Sequence, residues 1–399
     1  MLYYLLNQIK QEIKPDNIKI QFLLKDKDKD KELDLYISKS LAKYLNSAKQ
    51  EISEYSGNWD TVKKYTNPYE FIHTNIPHLS YSISKYKPIS RAFFKITEIY
   101  NSFDLLRQQY PIKTYHLAEG PGGFIEATAY LRKNKFDKYY GMTLIEKKNN
   151  NVPGWKKSET FLKKNPNVII EKGVTGNGDL YDPNNFKDCF ARHQNSFHII
   201  TGDGGFDFSS DFNNQEDQAF RLILTQVMYA IAMQKLGGTF ILKIYDCFLL
   251  STNQLIYLLS CFYNNVYISK PNTSRHANSE KYITCTDFKK TDTTIISEKF
   301  FRVLTVLKPI DFNIYSIQRI LNIPINLYFK NQIAEINAIF GQQQIENIIT
   351  TTKIVSFREK KNDKLNQNKL ANIQKCINWC IQNNIPYNKF TQPSNIFLS

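Results

Sequence analysis

Between about Ile83 and Leu307, short β-type runs take turns with helical patterns, and this alternation restricts the fold of the 399-residue chain more than any other feature. Strand, helix, strand in succession is what a parallel sheet with crossover helices requires. Lys113 to Leu117 reads as a first strand, and Phe124 to Leu131 as the helix after it. Tyr139 to Leu144, Asn167 to Ile170 and Phe197 to Thr201 are further strands. Ala219 to Met233 places apolar residues at 219, 222, 223, 227, 230 and 231, an amphipathic helix that Gly237-Gly238 is expected to end. Thr239 to Leu242, Val266 to Ser269 and Tyr282 to Cys285 complete the strands, with a helix at Leu255 to Phe262 between the first two.

Three segments follow from this reading: a mainly helical extension over 1–81, the α/β region over 82–308, and a mainly helical region over 309–399. In the first, Leu2, Leu5, Leu6, Ile9 and Ile13 form a helical stripe, and Lys25 to Lys31, where Lys and Asp alternate, reads as a solvated loop. In the third, a polar stretch at Arg358 to Lys369 precedes a last helix around Leu370 to Gln382. No apolar run approaches the roughly 20 residues needed to cross a bilayer. The N-terminus lacks a signal-peptide core and cleavage site, so the chain is expected to be cytoplasmic, not secreted and not membrane-bound. None of the six cysteines forms a Cys-x-x-Cys pair. Cys376 and Cys380 share a helix face and read as reduced, half-buried thiols, with no metal implied. With 52 Lys and Arg against 37 Asp and Glu, the chain carries +15 and would attract a polyanion, although an AT-rich genome also enriches Lys and Asn.

Chemistry-bearing residues gather where the strands are expected to end. The first strand runs into Glu119-Gly120-Pro121-Gly122-Gly123-Phe124, a glycine turn that lets a ligand approach the backbone. A dinucleotide fingerprint would need glycine where Ile125 stands, which disfavours a nicotinamide cofactor. Open α/β sheets bind ligands at the carboxyl ends of their strands, and here Asp203 follows one strand, Lys243 ends another and Glu280 opens a third. One such lysine is commonly the first exposed residue of a loop. Three ionisable groups in register favour a site.

The turn at Pro121-Gly122-Gly123 resembles motif I of Rossmann-like methyltransferases. Ser90 to Ile99 resembles the leading helix of the FtsJ-like 2′-O-methyltransferases, with Lys95, Asp203, Lys243 and Glu280 matching that family's Lys-Asp-Lys-Glu tetrad in order. Gly141 to Leu144, Gly176 to Leu180 and Lys270 to Tyr282 resemble the cap-specific mRNA branch. The resemblance covers roughly residues 84 to 290. It implies a Rossmann-like fold with a mostly parallel, doubly wound sheet and an antiparallel strand, S-adenosyl-L-methionine as cofactor, and the capped 5′ end of mRNA as substrate. Association with other capping or transcription proteins is also implied. Cofactor contacts are carried to Glu119, Gly120, Pro121, Gly122, Gly123, Phe124, Thr143, Asp179 and Asp203. Asp179 is the candidate for the adenine amino group, the alternative being an ordinary loop Asp. RNA contacts fall on Ser274, Arg275 and Asn278, where a surface arginine without a partner is the alternative. The motif style resembles members encoded by large DNA viruses, which would extend the expected location to a virion or viral factory.

Two departures stand out: His116 occupies a position where many relatives have an acid, and is read as packing only, and the second strand ends in Thr143. A lysine base needs a pKa well below about 10.4. Lys95 and desolvation are expected to lower that of Lys243, and Asp203 and Glu280 to raise it. Two other functions remain: the same chemistry on ribosomal or transfer RNA, and an RNA-binding subunit without turnover. A missing tetrad residue would favour the last, and none is missing.

Overall fold

The computed structural model describes residues 1–25, 36–146, 149, 152–206, 208, 213–356 and 362–390. The N-terminal part carries β1 (Leu2–Leu5), β2 (Ile18–Leu24), α1 (Lys39–Glu54) and α2 (Ser56–Thr66), and then α3 (Ala92–Phe103) leads into the sheet. The alternation that follows is β3 (Lys113–Leu117), α4 (Gly123–Arg132), β4 (Lys138–Met142), α5 (Glu159–Lys164), β5 (Val168–Glu171), α6 (Pro183–His193) and β6 (Phe197–Gly202). It continues through α7 (Gln215–Met233), β7 (Gln234–Ile244), α8 (Leu250–Phe262), β8 (Tyr263–Lys270), β9 (Lys281–Phe288) and α9 (Thr294–Leu307). β10 (Tyr315–Leu321), α10 (Leu327–Ser356) and α11 (Asn362–Gln382) close the chain.

Eight strands form one sheet in the order β1-β8-β9-β7-β6-β3-β4-β5, while β10 and β2 pair separately. The pairs among β5, β4, β3, β6 and β7 are parallel; β9 is antiparallel to both β7 and β8. The chain winds outward in both directions from β3 and β6, so the crevice between the carboxyl ends of these two strands is the topological switch point where such sheets bind ligands. Side-chain alternation splits the core between the faces. Tyr115, Leu117, Ile200, Phe240 and Leu242 pack beneath α6 to α10. Ile199, Ile241 and Tyr282 pack on the other face with Phe93 and Phe94 of α3, Phe124 of α4 and Trp379 of α11.

The fold class is the expected one, with local corrections. Met1 to Asp16 is not a helix. Leu2–Leu5 runs antiparallel along β8, whose edge groups it satisfies, adding a second reversed strand to the sheet. Leu6, Ile9 and Ile13 are buried, so their spacing is met by an irregular chain laid over the core. Gly237-Gly238 does not end α7, which stops at Met233; both glycines lie inside β7, with Gly237 at φ +73°. Cys376 and Cys380 are free but fully buried. The Lys/Asp alternation beyond Lys25 and the start of the polar stretch, 358–361, lie outside the described residues; the rest of that stretch, Asn362 to Lys369, is helical, so the last helix begins at Asn362 and not near Leu370. No helix among the described residues is long and apolar enough to cross a membrane.

Candidate active site

Two elements of strand geometry deliver the tetrad. Lys243 lies two residues after Ile241 in β7, and therefore projects from the face that α3 covers. Glu280 immediately precedes β9, which pairs with β7 in the register Lys243 to Tyr282. Residues Phe93 to Tyr100 of α3 are all buried, because the sheet lies on one side of this helix and Trp379 of α11 on the other. Lys95 is thereby forced into the interior, where its Nζ meets Glu280 Oε2 at 2.7 Å. Lys243 Nζ lies 3.0 Å from Asp203 Oδ1 and donates to the Asp203 carbonyl at 2.8 Å. Ser274 Oγ donates to the second Glu280 oxygen at 2.7 Å.

The electrostatics distinguish the two amines. Burial lowers Lys95 below the ordinary lysine range despite the attraction of Glu280. For Lys243 burial acts in the same direction, but Asp203, Tyr245 and Glu280 together outweigh it and hold the ammonium above the ordinary range. Burial would raise the Glu280 carboxyl, and Lys95 and Lys243 overcome this to keep it ionised. Of the opposing influences expected on Lys243, the acidic neighbours therefore prevail in the free protein.

Beside the tetrad lies a cavity of about 710 Å³, within the range of small-molecule sites. Gly120, Pro121, Thr143, Asp179 and Asp203 line it together with Lys95 and Lys243. The first five sit at the carboxyl end of β3, β4, β5 or β6, or in the loop beyond it, while Lys95 comes from α3 and Lys243 from β7. Glu119, Gly122, Gly123 and Phe124 are not part of its wall. Glu119 Oε2 accepts the N–H groups of Phe124 and Ile125 at 3.0 and 3.1 Å, capping α4, and Oε1 accepts the Thr201 hydroxyl at 2.8 Å. Gly122, at φ +107°, backs onto the Trp155 ring, 3.0 Å from where a Cβ would stand. Gly123 is needed because a Cβ there would lie 2.2 Å from Ser90 Oγ, so it sets how closely α4 approaches α3. Phe124 is core. These four shape the turn from behind. His116 is fully buried; its Nε2 meets the Thr114 hydroxyl at 2.8 Å, and its Nδ1 lies 2.8 Å from both the Thr201 hydroxyl and Glu119 Oε1, tying β3 to β6.

A second cavity, about 790 Å³, opens on the other side of Glu280. Its wall includes Trp59 and Lys63 of α2, Arg275, Asn278 and Glu280, and Tyr245 belongs to both cavities. Of the three residues expected to touch RNA, Asn278 is exposed there. Ser274 is buried and spent on Glu280, so it supports the tetrad. Arg275 is forked onto Glu70 through Nε at 2.9 Å and a terminal nitrogen at 2.5 Å, so it is not the unpartnered arginine of the alternative reading.

Arg91, which caps α3 four positions before Lys95, was not among the residues the sequence pointed to. It lines the first cavity; among the described residues its Nε is buried without a partner, and a terminal nitrogen makes a long 3.4 Å contact to the Thr273 carbonyl. The i, i+4 spacing to Lys95 was the available signal. Glu98, on the next turn, was also missed. It accepts the N–H groups of Asn272 and Thr273 at 2.9 and 3.2 Å and the Trp379 indole at 3.1 Å, fastening the loop before Glu280.

Residues 88–288, just over half of the chain, match the family described as FtsJ-like methyltransferase, and all four tetrad residues fall inside the match. The chain belongs to the FtsJ-like methyltransferase family. Relatives named "Cap-specific mRNA (nucleoside-2′-O-)-methyltransferase 1" share this family region. The Caenorhabditis elegans protein is 32% identical over 189 residues, covering 46% of this chain and 20% of that one. The Mus musculus and Homo sapiens proteins are each 35% identical over 179 residues, covering 43% of this chain and 20% and 21% of theirs. The chain thus spans about a fifth of the length of these relatives.

Proposed function

We propose that the chain methylates a ribose 2′-hydroxyl of RNA using S-adenosyl-L-methionine, and that its substrate is the capped 5′ end of mRNA. The observation that carries this is the position of the tetrad between two cavities: Lys95, Asp203 and Lys243 border the first, and Glu280 borders the second. A methyl donor in one and a ribose in the other would meet at the four ionisable groups. The names of the relatives support the capped substrate.

The first cavity fits the cofactor in size and donor set. Asp179 would take the adenine amino group, since its Oδ1 already accepts the Tyr181 N–H at 2.9 Å and the carboxylate is thus fixed at the wall. Gly120 and Pro121 would lie along the methionine part. When bound, S-adenosyl-L-methionine supplies an electrophilic methyl on a positively charged sulfur. The protein's part is to align the hydroxyl and accept its proton. Lys243 is the base, and it must first release the proton that Asp203 holds on it. Burial and the Lys95 charge favour that release. Glu280 pairs with Lys95, and with Ser274 it fixes the side of the site that faces the second cavity. Arg91, in the wall of the first cavity with its Nε unpaired among the described residues, is suited to an anionic group of the molecule bound there.

Incubating the chain with methyl-labelled S-adenosyl-L-methionine and matched capped and uncapped transcripts, beside ribosomal and transfer RNA, tests this. Label recovered as a 2′-O-methylnucleoside next to the cap is expected. Label on a base, or on uncapped RNA equally well, overturns the substrate assignment; no transfer to any RNA leaves the binding-subunit reading.

A further inference from the structure

We propose that Lys270, the last residue of β8, is a positioning residue whose buried amine holds the main chain of Asn278 to Glu280 and so delivers the Glu280 carboxylate to Lys95. This rests on the methyl-transfer reading above. Lys270 Nζ donates to the Glu280 carbonyl at 2.8 Å and, over a shorter contact, to the Asn278 carbonyl. Lys281 Nζ donates to the Ser279 carbonyl at 3.1 Å, and Gln344 of α10 donates to the Ala277 carbonyl at 2.9 Å. Each carbonyl from Ala277 to Glu280 is therefore held by a side chain from outside the loop. Glu280 is fixed at both ends, its backbone by Lys270 and its carboxylate by Lys95 and Ser274.

Lys270 is costly to keep where it is. Among the described residues it forms no ion pair, because the nearby carboxylate of Asp246 is already shared by Lys49 at 2.8 Å and Lys281 at 2.9 Å. Burial, with the Lys281 charge beside it, pushes the Lys270 amine down to about 7. A buried cation without its own counter-ion costs stability, and an apolar side chain of similar length would avoid that cost. The carbonyls it holds belong to Asn278 and to Glu280 itself, which ties this lysine to the tetrad.

Lys270→Met keeps the length of the stem and removes the donor. Glu280 freed from its place no longer supports the charge on Lys95, so the Lys95 titration, followed by 13Cε NMR of the substrate-free protein, is expected to move down by about one pH unit. Thermal stability should change little, because the cost of the buried amine is removed while the Asn278 and Glu280 carbonyls lose their donor. Calorimetric affinity for S-adenosyl-L-methionine should stay unchanged, and single-turnover methyl transfer should fall by about tenfold or more. Lys270→Gln retains an N–H donor and should recover part of both effects. An unmoved Lys95 titration in both variants, whatever the rate, overturns the proposal and leaves Lys270 a packing residue. Because that measurement needs no substrate, its failure is separate from failure of the methyl-transfer assignment, which the wild-type assay on capped RNA decides.

Discussion

Lys243 meets Asp203 at two atoms, the carboxylate Oδ1 at 3.0 Å and the main-chain carbonyl at 2.8 Å. The Asp203 charge, with Tyr245 and Glu280, overcomes burial and holds the ammonium above its ordinary range. A base that is protonated at rest must lose a proton before it can accept one, so the profile of kcat/KM, which reports the free enzyme, carries that cost. The ratio is expected to climb steadily with pH beyond about 9, without a plateau near neutrality. Asp203→Asn removes the main opposing charge and should move the rise to lower pH, even if its maximum is reduced by lost alignment. A wild-type plateau near neutral pH would show that Asp203 does not control Lys243.

Cofactor affinity should depend on Asp179. Replacing it with Ala removes a charged hydrogen-bond acceptor from the wall, which corresponds to roughly tenfold or more in Kd for S-adenosyl-L-methionine. Unchanged affinity by calorimetry would remove Asp179 from the site. Gly122→Val is a poor test of the same cavity. The new side chain would press on Trp155 and Ile125 from a backbone at φ +107°, so loss of the fold is expected along with loss of binding.

Arg275 is expected to matter first for stability. Its fork onto buried Glu70, together with His73, overcomes the effect of burial and keeps that carboxyl at about 2. Arg275→Met leaves the carboxylate with the Thr74 hydroxyl at 3.1 Å, and urea unfolding at pH 7 should show a loss of about 3 kcal/mol. Glu70 has a folded pKa below its unfolded value of about 4.3, so its stabilisation is full above that value and disappears as pH falls toward about 2. The gap between wild type and variant should close over that interval. A variant as stable as wild type at pH 7 would return Arg275 to the role of a free RNA contact.

The sheet was legible because each central strand has its own apolar run and each crossover helix its own period. Lys113–Leu117 could be placed to the residue. The tetrad was legible for a related reason: its members lie at strand ends or on one helix, where the spacing identifies them. What was not legible depends on contacts between distant segments. The stripe at Leu2 to Ile13 satisfies helical spacing as well as any true helix, and only the open edge of β8, more than 250 residues later, makes Leu2–Leu5 a strand. Ser274 looks like a loop serine until Glu280 is placed 2.7 Å away. Glu119 looks like a ligand because it stands in the glycine turn. Its engagement with Phe124, Ile125 and Thr201 depends on how α4 and β6 pack around it. The direction of the Lys243 shift was open for the same reason, since sequence names the opposing charges without giving their distances.

Replacing Lys243 separates an enzyme from a binding module, provided the charge left behind is handled. Lys243→Met deletes the amine and keeps much of the stem, but it leaves Asp203 with the Tyr282 hydroxyl at 3.4 Å, so some loss of stability is expected as well. The double variant Lys243→Met/Asp203→Asn removes both charges and should recover stability. If Lys243 serves only to neutralise Asp203, the double variant also recovers methyl transfer. If Lys243 is the base, single-turnover transfer on capped RNA, with both substrates saturating, stays down by about 10² or more in both variants. Lys243→Arg preserves the ion pair, yet its guanidinium cannot give up a proton at neutral pH, so it should be nearly as inactive as the Met variant. Methyl transfer at the wild-type rate in the Arg or the double variant would eliminate Lys243 as the base.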